Sequence, residues 1–250
     1  MSSSEVSTHC KVIHQDEWLV VVEKPFGVLS HPNPGSKSTQ RPSRCAFEGS
    51  YDPEKRCFNG PAGPIWLIHR LDQGTSGVLL AARDAETAIR CREAFEKGLV
   101  EKQYSALVSG LLPREGVWKD ALVEKRTAGK IRVSVRPGAP LNSEMRFHVA
   151  ASSRALRLSL LEVQLLTGRT HQIRVQAASR HHPLLGDDVY GDFSRNRRAK
   201  QDFGLRRIFL HAAALQLPHP ATGRRLSLVS PLPVELVEVL EKLRLESAGG

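Results

Sequence analysis

Two short apolar runs, Ile65-Trp66-Leu67-Ile68 and Gly77-Val78-Leu79-Leu80-Ala81-Ala82, enclose eight residues, His69-Arg70-Leu71-Asp72-Gln73-Gly74-Thr75-Ser76, of which only Leu71 is a large apolar residue. A folded chain can bury both flanks but not the polar stretch, so the segment reads as strand, loop, strand. The loop is thereby held at a surface between two fixed ends, the kind of place where a scaffold carries reactive groups.

The rest of the chain repeats this mixture of short elements. Val12-Ile13 and Leu19 to Val22 read as paired strands, ended by Pro25 and Gly27. Asn33 to Pro64 is rich in Pro, Gly, Ser and basic residues, has almost no apolar periodicity, and reads as a loop-like insertion. Asp84 is placed to cap a helix whose Ala88, Cys91 and Phe95 share one face, with Gly98 ending it. A strand from Val100 to Val108 carries Tyr104. Short antiparallel strands follow between Gly116 and Val149, with turn signals at Ala128-Gly129 and Pro137-Gly138. Leu156 to Leu166 alternates as a strand, and Thr170 is expected to cap a helix reaching about Ala178. Gly186-Asp187-Asp188 is a turn, Phe209 to Leu217 a strand, and Leu232 to Leu245 a helix. Strands and helices are intermixed without βαβ regularity, so the fold class is α+β: a mixed, mainly antiparallel central sheet with flanking helices and long loops. One domain is expected over 12–246, with tails at 1–11 and 247–250 and the insertion at 33–64.

Composition narrows the partner. The 36 Lys+Arg against 26 Asp+Glu give a formal net charge of +10, which favours a polyanion such as nucleic acid. Of those bases 25 are Arg and 11 Lys, and a guanidinium is the better planar phosphate ligand and can also stack on bases. Cys10, Cys45, Cys57 and Cys91 include no Cys-x-x-Cys pair and no zinc-like spacing, so no metal is expected and reduced thiols in a cytoplasmic protein are. Met1 to Trp18 has no apolar core of a signal peptide, and no run reaches membrane-spanning length, so no membrane partner is expected.

Taken by itself, an aspartate in such a loop, Asp72 here, is more often turn-forming or capping than reactive. A second polar cluster, Thr167-Gly168-Arg169-Thr170-His171-Gln172-Ile173-Arg174, sets Arg169 and His171 at a helix start, where free amides attract phosphate. Arg174, four residues after Thr170, is placed to reach inward to a carboxylate, and a buried Asp–Arg pair would keep that Asp ionised. A hydrolase using Asp72 with His69 or His171, or a metal at Asp187-Asp188, ranks low. There is no Ser or Cys elbow, and one adjacent Asp pair is a poor metal site.

His69 to Gly77 matches an HRLDxxTSG motif, and together with Thr167 to Arg174 it resembles the RluA-type family of RNA pseudouridine synthases. The similarity continues through Lys24-Pro25-Phe26-Gly27, Glu101 to Tyr104, His182 to Asp187, Leu210-His211-Ala212, and His219-Pro220 with Thr222-Gly223. It therefore runs from about Val12 to Pro233. The resemblance implies isomerisation of uridine to pseudouridine in RNA without metal or organic cofactor. It implies that Asp72 is the catalytic aspartate, that Arg174 is the arginine paired with it, and that Tyr104 stacks on the uracil and assists removal of its C5 proton. Arg70 matches a position that enters the RNA stack beside the vacated base. His69, Thr75, Arg169, His171 and the basic residues Arg195, Arg197 and Arg198 are the other candidate RNA contacts, and Lys200, Arg206 and Arg207 extend that basic stretch.

Three departures from the family pattern bear on these expectations. Glu23 and Phe26 flank Lys-Pro where many members have Asn and a small residue, and Gln176 replaces a usual His, with altered phosphate contacts expected. The small N-terminal RNA-binding domain of many relatives is not expected here, which leaves substrate choice to the catalytic domain and its insertion. A tRNA or large-subunit rRNA is the expected partner, bound by a monomer. A non-catalytic RNA binder of the same fold is the alternative, and the presence of Asp72, Tyr104 and Arg174 together argues against it.

Overall fold

A computed structural model of the chain describes residues 6–32, 44–127 and 130–247. In chain order the elements are β1 (Lys11–Gln15), β2 (Leu19–Lys24), β3 (Ser50–Asp52), β4 (Cys57–Gly60), β5 (Gly63–Leu67), β6 (Ser76–Ala82), α1 (Ala85–Glu96), β7 (Glu101–Ser109), β8 (Glu115–Asp120), β9 (Leu122–Thr127) and β10 (Lys130–Val135). They continue with β11 (Ser143–Ser153), β12 (Leu158–Leu165), α2 (Gln172–Ala178), α3 (Phe193–Phe203), β13 (Leu210–Pro218), β14 (Arg225–Val229), α4 (Val234–Leu243) and β15 (Glu246–Ser247). The chain divides into two compact units: Met1–Glu101 with Ala214–Ser230, and Lys102–Ala213 with Pro231–Gly250.

The first unit is built on β2 and β6, antiparallel to each other, with β1 on the other edge of β2. Leu19, Val20, Val21 and Val22 are all fully buried, and every residue of β6 is buried, so both strands read as continuous apolar runs rather than as an alternation. β5, β4 and β3 follow β6 outward as an antiparallel meander, and β14 folds back on the C-terminal half of β13. Helix α1 lays Ala88, Cys91 and Ala94 against Leu80 and Leu215. Within the expected loop, 44–64 carries β3, β4 and the start of β5, while the part of the insertion at 33–43 lies outside the described residues. Residues 7–10, expected as a free tail, are tied down: Thr8 bridges Phe47 and donates its hydroxyl to the Ala46 carbonyl, and Ser7 bonds Glu48.

In the second unit β11 is central, pairing β12 along one edge and β8 and then β15 along the other, with β7 beyond β12. Here the alternation is clean: Met145, Phe147 and Val149 point to a core shared with Val163, Leu165, Ile173 and Ala177. β9 and β10 form a separate hairpin, flanking the Ala128-Gly129 turn, which lies outside the described residues. Gly186 holds the following turn at φ +79°, where a Cβ would sit 2.0 Å from the Arg207 carbonyl oxygen, so only glycine fits.

One local expectation fails. Thr170 does not cap α2; His171 stands at that position with φ 54°, and no side chain caps the helix from before it. Instead the Gln172 side chain reaches back, its Oε1 accepting from the Arg169 amide (3.0 Å) and from the Thr167 hydroxyl (2.8 Å). A left-handed entry turns the amides of this seven-residue helix away from the geometry that Ser/Thr capping uses. Asp84 does cap α1, accepting from the Thr87 amide at 2.7 Å and its hydroxyl at 2.6 Å. Asp84→Ala is expected to cost about 1 kcal/mol and lower the melting temperature by roughly 2–4 °C, read by thermal unfolding.

Candidate active site

The loop 68–75 between β5 and β6 is pinned on both sides of Asp72. Leu71 points inward, 5% exposed, and its amide and carbonyl are both satisfied by one buried hydroxyl: Ser30 Oγ accepts from the Leu71 N–H and donates to the Leu71 carbonyl, each at 2.9 Å. At Gln73 the carbonyl accepts from the Gly27 amide (2.9 Å), and the Gln73 amide side chain donates to the Gly27 carbonyl (3.0 Å). Lys24, fully buried, donates from Nζ to the carbonyls of Val28 (2.7 Å), Pro25 (3.1 Å) and Gln73 (3.5 Å). An ammonium inside a protein is tolerated only with such a set of acceptors, so the loop 24–30 is fastened to the loop that carries Asp72. Burial pushes the nearby Cys10 thiol up to about 11, with Lys24 opposing, so that cysteine is an inert packing group.

The alternation of the loop then sorts its residues. Leu71 is in, and Arg70 is exposed while Asp72 is half-buried. His69 faces the scaffold: its Nε2 accepts from the Leu80 amide at 3.0 Å, and its ring stacks on Phe95 of α1 at 5.3 Å. Thr75 is 3% exposed and its amide closes the turn on the Asp72 carbonyl (3.0 Å). Of the four loop residues singled out from the sequence, Arg70 and Asp72 are thus the outward ones, and His69 and Thr75 hold the frame.

In the second unit Tyr104 lies on β7, opposite Val163 of β12, packed at the margin of the Met145/Phe147 core. Arg174, on α2, forms a two-pronged pair with Asp187: Nε to Oδ2 and a terminal nitrogen to Oδ1, both 2.8 Å, with side-chain exposures of 11% and 0%. Asp187 Oδ1 also accepts the amides of Val189 (2.8 Å) and Tyr190 (3.0 Å). Burial pushes the Asp187 carboxyl up, but the Arg174 hydrogen bonds and charge and those amides outweigh it, leaving it below the usual aspartate range. The Tyr190 ring lies 5.1 Å from the Arg174 guanidinium carbon. Its hydroxyl accepts from the Val133 amide of β10 (2.9 Å) and bonds His171 Nδ1 (2.9 Å). His171 is therefore part of the frame around Arg174. Arg169, exposed, donates from Nε to the Asn142 carbonyl.

Other basic residues separate in the same way. Arg197, Arg198 and Lys200 are exposed along α3, and Arg195 is half-buried at its start. Arg207 is 6% exposed and spends its guanidinium on Glu235 and the carbonyls of Ile208 and Leu210, so it belongs to the interior. Gln176 is fully buried, donating to Asp120 (2.7 Å) and the Trp118 carbonyl (3.2 Å), which removes it from any phosphate surface. The Asp187 carboxylate is engaged by Arg174 and by the amides of Val189 and Tyr190, and among the described residues no group of three or more His, Cys, Asp or Glu is placed to hold a metal ion.

These features coincide with a known class. The family model for RNA pseudouridylate synthases matches residues 18–179, well over half the chain. The chain belongs to this family and is an RNA pseudouridine synthase, an isomerase. The tRNA pseudouridine synthase C of Salmonella typhi is 32% identical, covering 92% of this chain and 88% of its own. The ribosomal large subunit pseudouridine synthase C of Vibrio cholerae is 34% identical over 94% of this chain and 70% of its own. Among solved structures, human RNA Pseudouridylate Synthase Domain Containing 4 superposes with a TM-score of 0.69 at 28% identity, covering 94% and 93% of the two chains. The fold is the pseudouridine synthase fold, α+β as expected.

Sequence reading missed Ser30, Asp187 and Tyr190 as parts of the frame, and gave Lys24 no role beyond its place in a motif. The apolar run ahead of Lys24 was a usable signal of its burial. Asp187→Asn leaves Arg174 facing a neutral amide and is expected to cost about 3 kcal/mol at neutral pH. Because pairing holds Asp187 below the ordinary 3.8, its stabilisation is complete above that value and is lost as pH falls through the folded-state value. The difference in unfolding free energy between the two proteins should therefore shrink on acidification below about pH 4, as denaturant titrations at several pH values would show.

Proposed function

We propose that the chain converts a specific uridine of a structured tRNA or large-subunit rRNA to pseudouridine, with Asp72 as its catalytic carboxylate. The observation that carries this reading is the fastening of the Asp72 loop: Leu71 and Gln73, the residues on either side, are held by Ser30, Gly27 and Lys24, while Asp72 itself stays half-buried. A reacting carboxylate has to be held in this way, because misplacement of even a small fraction of a bond length reduces rate.

The reaction is an isomerisation, so atoms balance within the nucleotide. The N1–C1′ glycosidic bond breaks, the uracil turns, a C5–C1′ bond forms, and the proton on C5 leaves while N1 gains one. Asp72 either attacks the sugar or removes a sugar proton. Tyr104 is the residue proposed to stack on the uracil and assist loss of the C5 proton, and Arg174 is the arginine of the family's catalytic set. The relatives named for tRNA and for large-subunit rRNA support both target classes equally. Arg70, Arg197 and Arg198 are proposed RNA contacts, supported by their exposure. The four cysteines, all free thiols, support a reducing, cytoplasmic setting.

Pseudouridine mapping of tRNA and rRNA incubated with wild-type protein should reveal new sites that disappear with Asp72→Ala. Absence of conversion in either RNA, with tight binding preserved in both proteins, would make the chain an RNA binder instead. Replacing Arg197 and Arg198 together by Gln should weaken RNA binding and lower the slope of log affinity against log salt by about 1.4–1.8.

A further inference from the structure

The insertion that composition marks as loop builds a surface of its own beside the Asp72 loop. Its hairpin β3–β4 presents Tyr51, whose ring stacks on His31 at 5.2 Å and 12° on one side and meets Phe58 at 4.8 Å on the other. Phe58 is 1% exposed and packs against Phe47, so the stack is rooted in the core, while Tyr51 and His31 remain partly open. The hairpin is fixed to β5, with the Arg56 carbonyl accepting from the Leu67 amide at 2.8 Å.

Around this stack the charge is almost all of one sign. Arg56, Arg70 and Arg92 lie within electrostatic reach of the Tyr51 hydroxyl, against one carboxylate, Asp52. That carboxylate is already used by its own turn, accepting from the amides of Glu54 and Lys55 and pairing with Lys55. Arg56 is exposed and stands in the left-handed region at φ 54°, a conformation a non-glycine residue seldom takes. Arg92 donates to the Leu67 carbonyl at 2.7 Å, and its Nε is buried with no hydrogen-bond partner among the described residues. His31 gives its Nδ1 proton to the Pro32 carbonyl (2.9 Å), which leaves Nε2 as an acceptor. Gathering guanidinia around an aromatic stack without carboxylates costs folding free energy, and it is the arrangement an anionic, base-bearing ligand reverses.

The position of this surface follows from bonds already described. Ser30, which braces Leu71, is the residue before His31; Arg70 is the residue before Leu71. The stack and Asp72 are therefore carried by two strips of backbone hydrogen-bonded to one another.

We propose that His31, Tyr51, Arg56 and Arg70 bind a nucleotide of the RNA substrate that adjoins the target uridine, its phosphate on the two arginines and the Tyr51 hydroxyl, its base on the open face of the His31 ring. The inference rests on the reading that the chain modifies RNA and assigns to the insertion the recognition of the flanking sequence. Three guanidinia near one hydroxyl select a phosphodiester over an uncharged ligand, and a single planar ring selects an unstacked base over a duplex.

The test uses the full chain, with affinity for purified bulk tRNA and large-subunit rRNA titrated at several salt concentrations. Arg56→Gln, which bears the same backbone strain, is expected to raise Kd about tenfold and to lower the salt slope by about 0.7–0.9. Arg154→Gln, an equal loss of charge at an exposed turn between β11 and β12, should leave both near wild type. His31→Ala should raise Kd about tenfold through lost stacking, and His31→Phe should recover most of it. A wild-type Kd and slope for Arg56→Gln, or a His31→Phe protein no better than His31→Ala, would overturn the proposal. Conversion by wild-type protein is mapped in the same RNA: if none occurs the proposed activity fails, whereas conversion with unchanged binding by the variants removes the flanking-nucleotide site alone.

Discussion

Everything at the Asp72 end of the molecule depends on how the polar backbone of two loops is satisfied without water. Leu71 has to be buried for the loop between β5 and β6 to close over the core, and burying it brings a peptide N–H and C=O inside with it. One hydroxyl, Ser30, answers both. Lys24 answers the other loop, drawing the carbonyls of Pro25, Val28 and Gln73 to a single nitrogen. Removing either side chain leaves buried backbone groups unpaired, which costs about 1–3 kcal/mol per group. The fastening of this loop is thus a consequence of ordinary hydrogen-bond accounting, with Asp72 placed between two residues whose backbone groups are both bonded across to the segment 24–30.

The second unit uses a charge instead. Arg174 sits on a short helix that has no side-chain cap, so the helix alone would fix it poorly. Its orientation comes from Asp187, held by the turn at Gly186, and from the Tyr190 ring, held in turn by the Val133 amide and His171. The planar fork of a guanidinium matches a carboxylate in two places at once, so the pair with Asp187 fixes the direction of Arg174 as well as its position.

How much of this was legible in the sequence follows from the range of each interaction. The strands flanking the Asp72 loop, the α1 cap at Asp84 and the alternation of β12 are local and were readable. So was the inward reach of Arg174 toward a carboxylate; the resemblance implied Asp72 as its partner, and the ion pair described is with Asp187, thirteen residues on across a turn. Ser30 and Leu71 are 41 residues apart, and no periodicity connects them. The insertion misled because hairpin β3–β4 is three or four residues a side, too short for alternation to register, and its stability comes from Phe47 and Phe58 packing rather than from strand propensity. His171 misled for the opposite reason: a motif that reads as a helix start with free amides is entered through a left-handed residue and answered by Gln172.

The net charge of +10 needs the same division between what is used and what is left. Arg174 is spent on the interior Asp187, Arg207 on Glu235 and on the carbonyls of Ile208 and Leu210, and Lys24 turns its ammonium toward backbone carbonyls. Cations so committed cannot exchange counterions with a polyanion, whatever they add to the formal sum. Arginines that remain exposed, among them Arg56 and Arg70 in the first unit and Arg197 and Arg198 on α3, are the ones whose field reaches solvent. Composition therefore establishes the sign of the partner, but only burial tells which part of the charge can meet it.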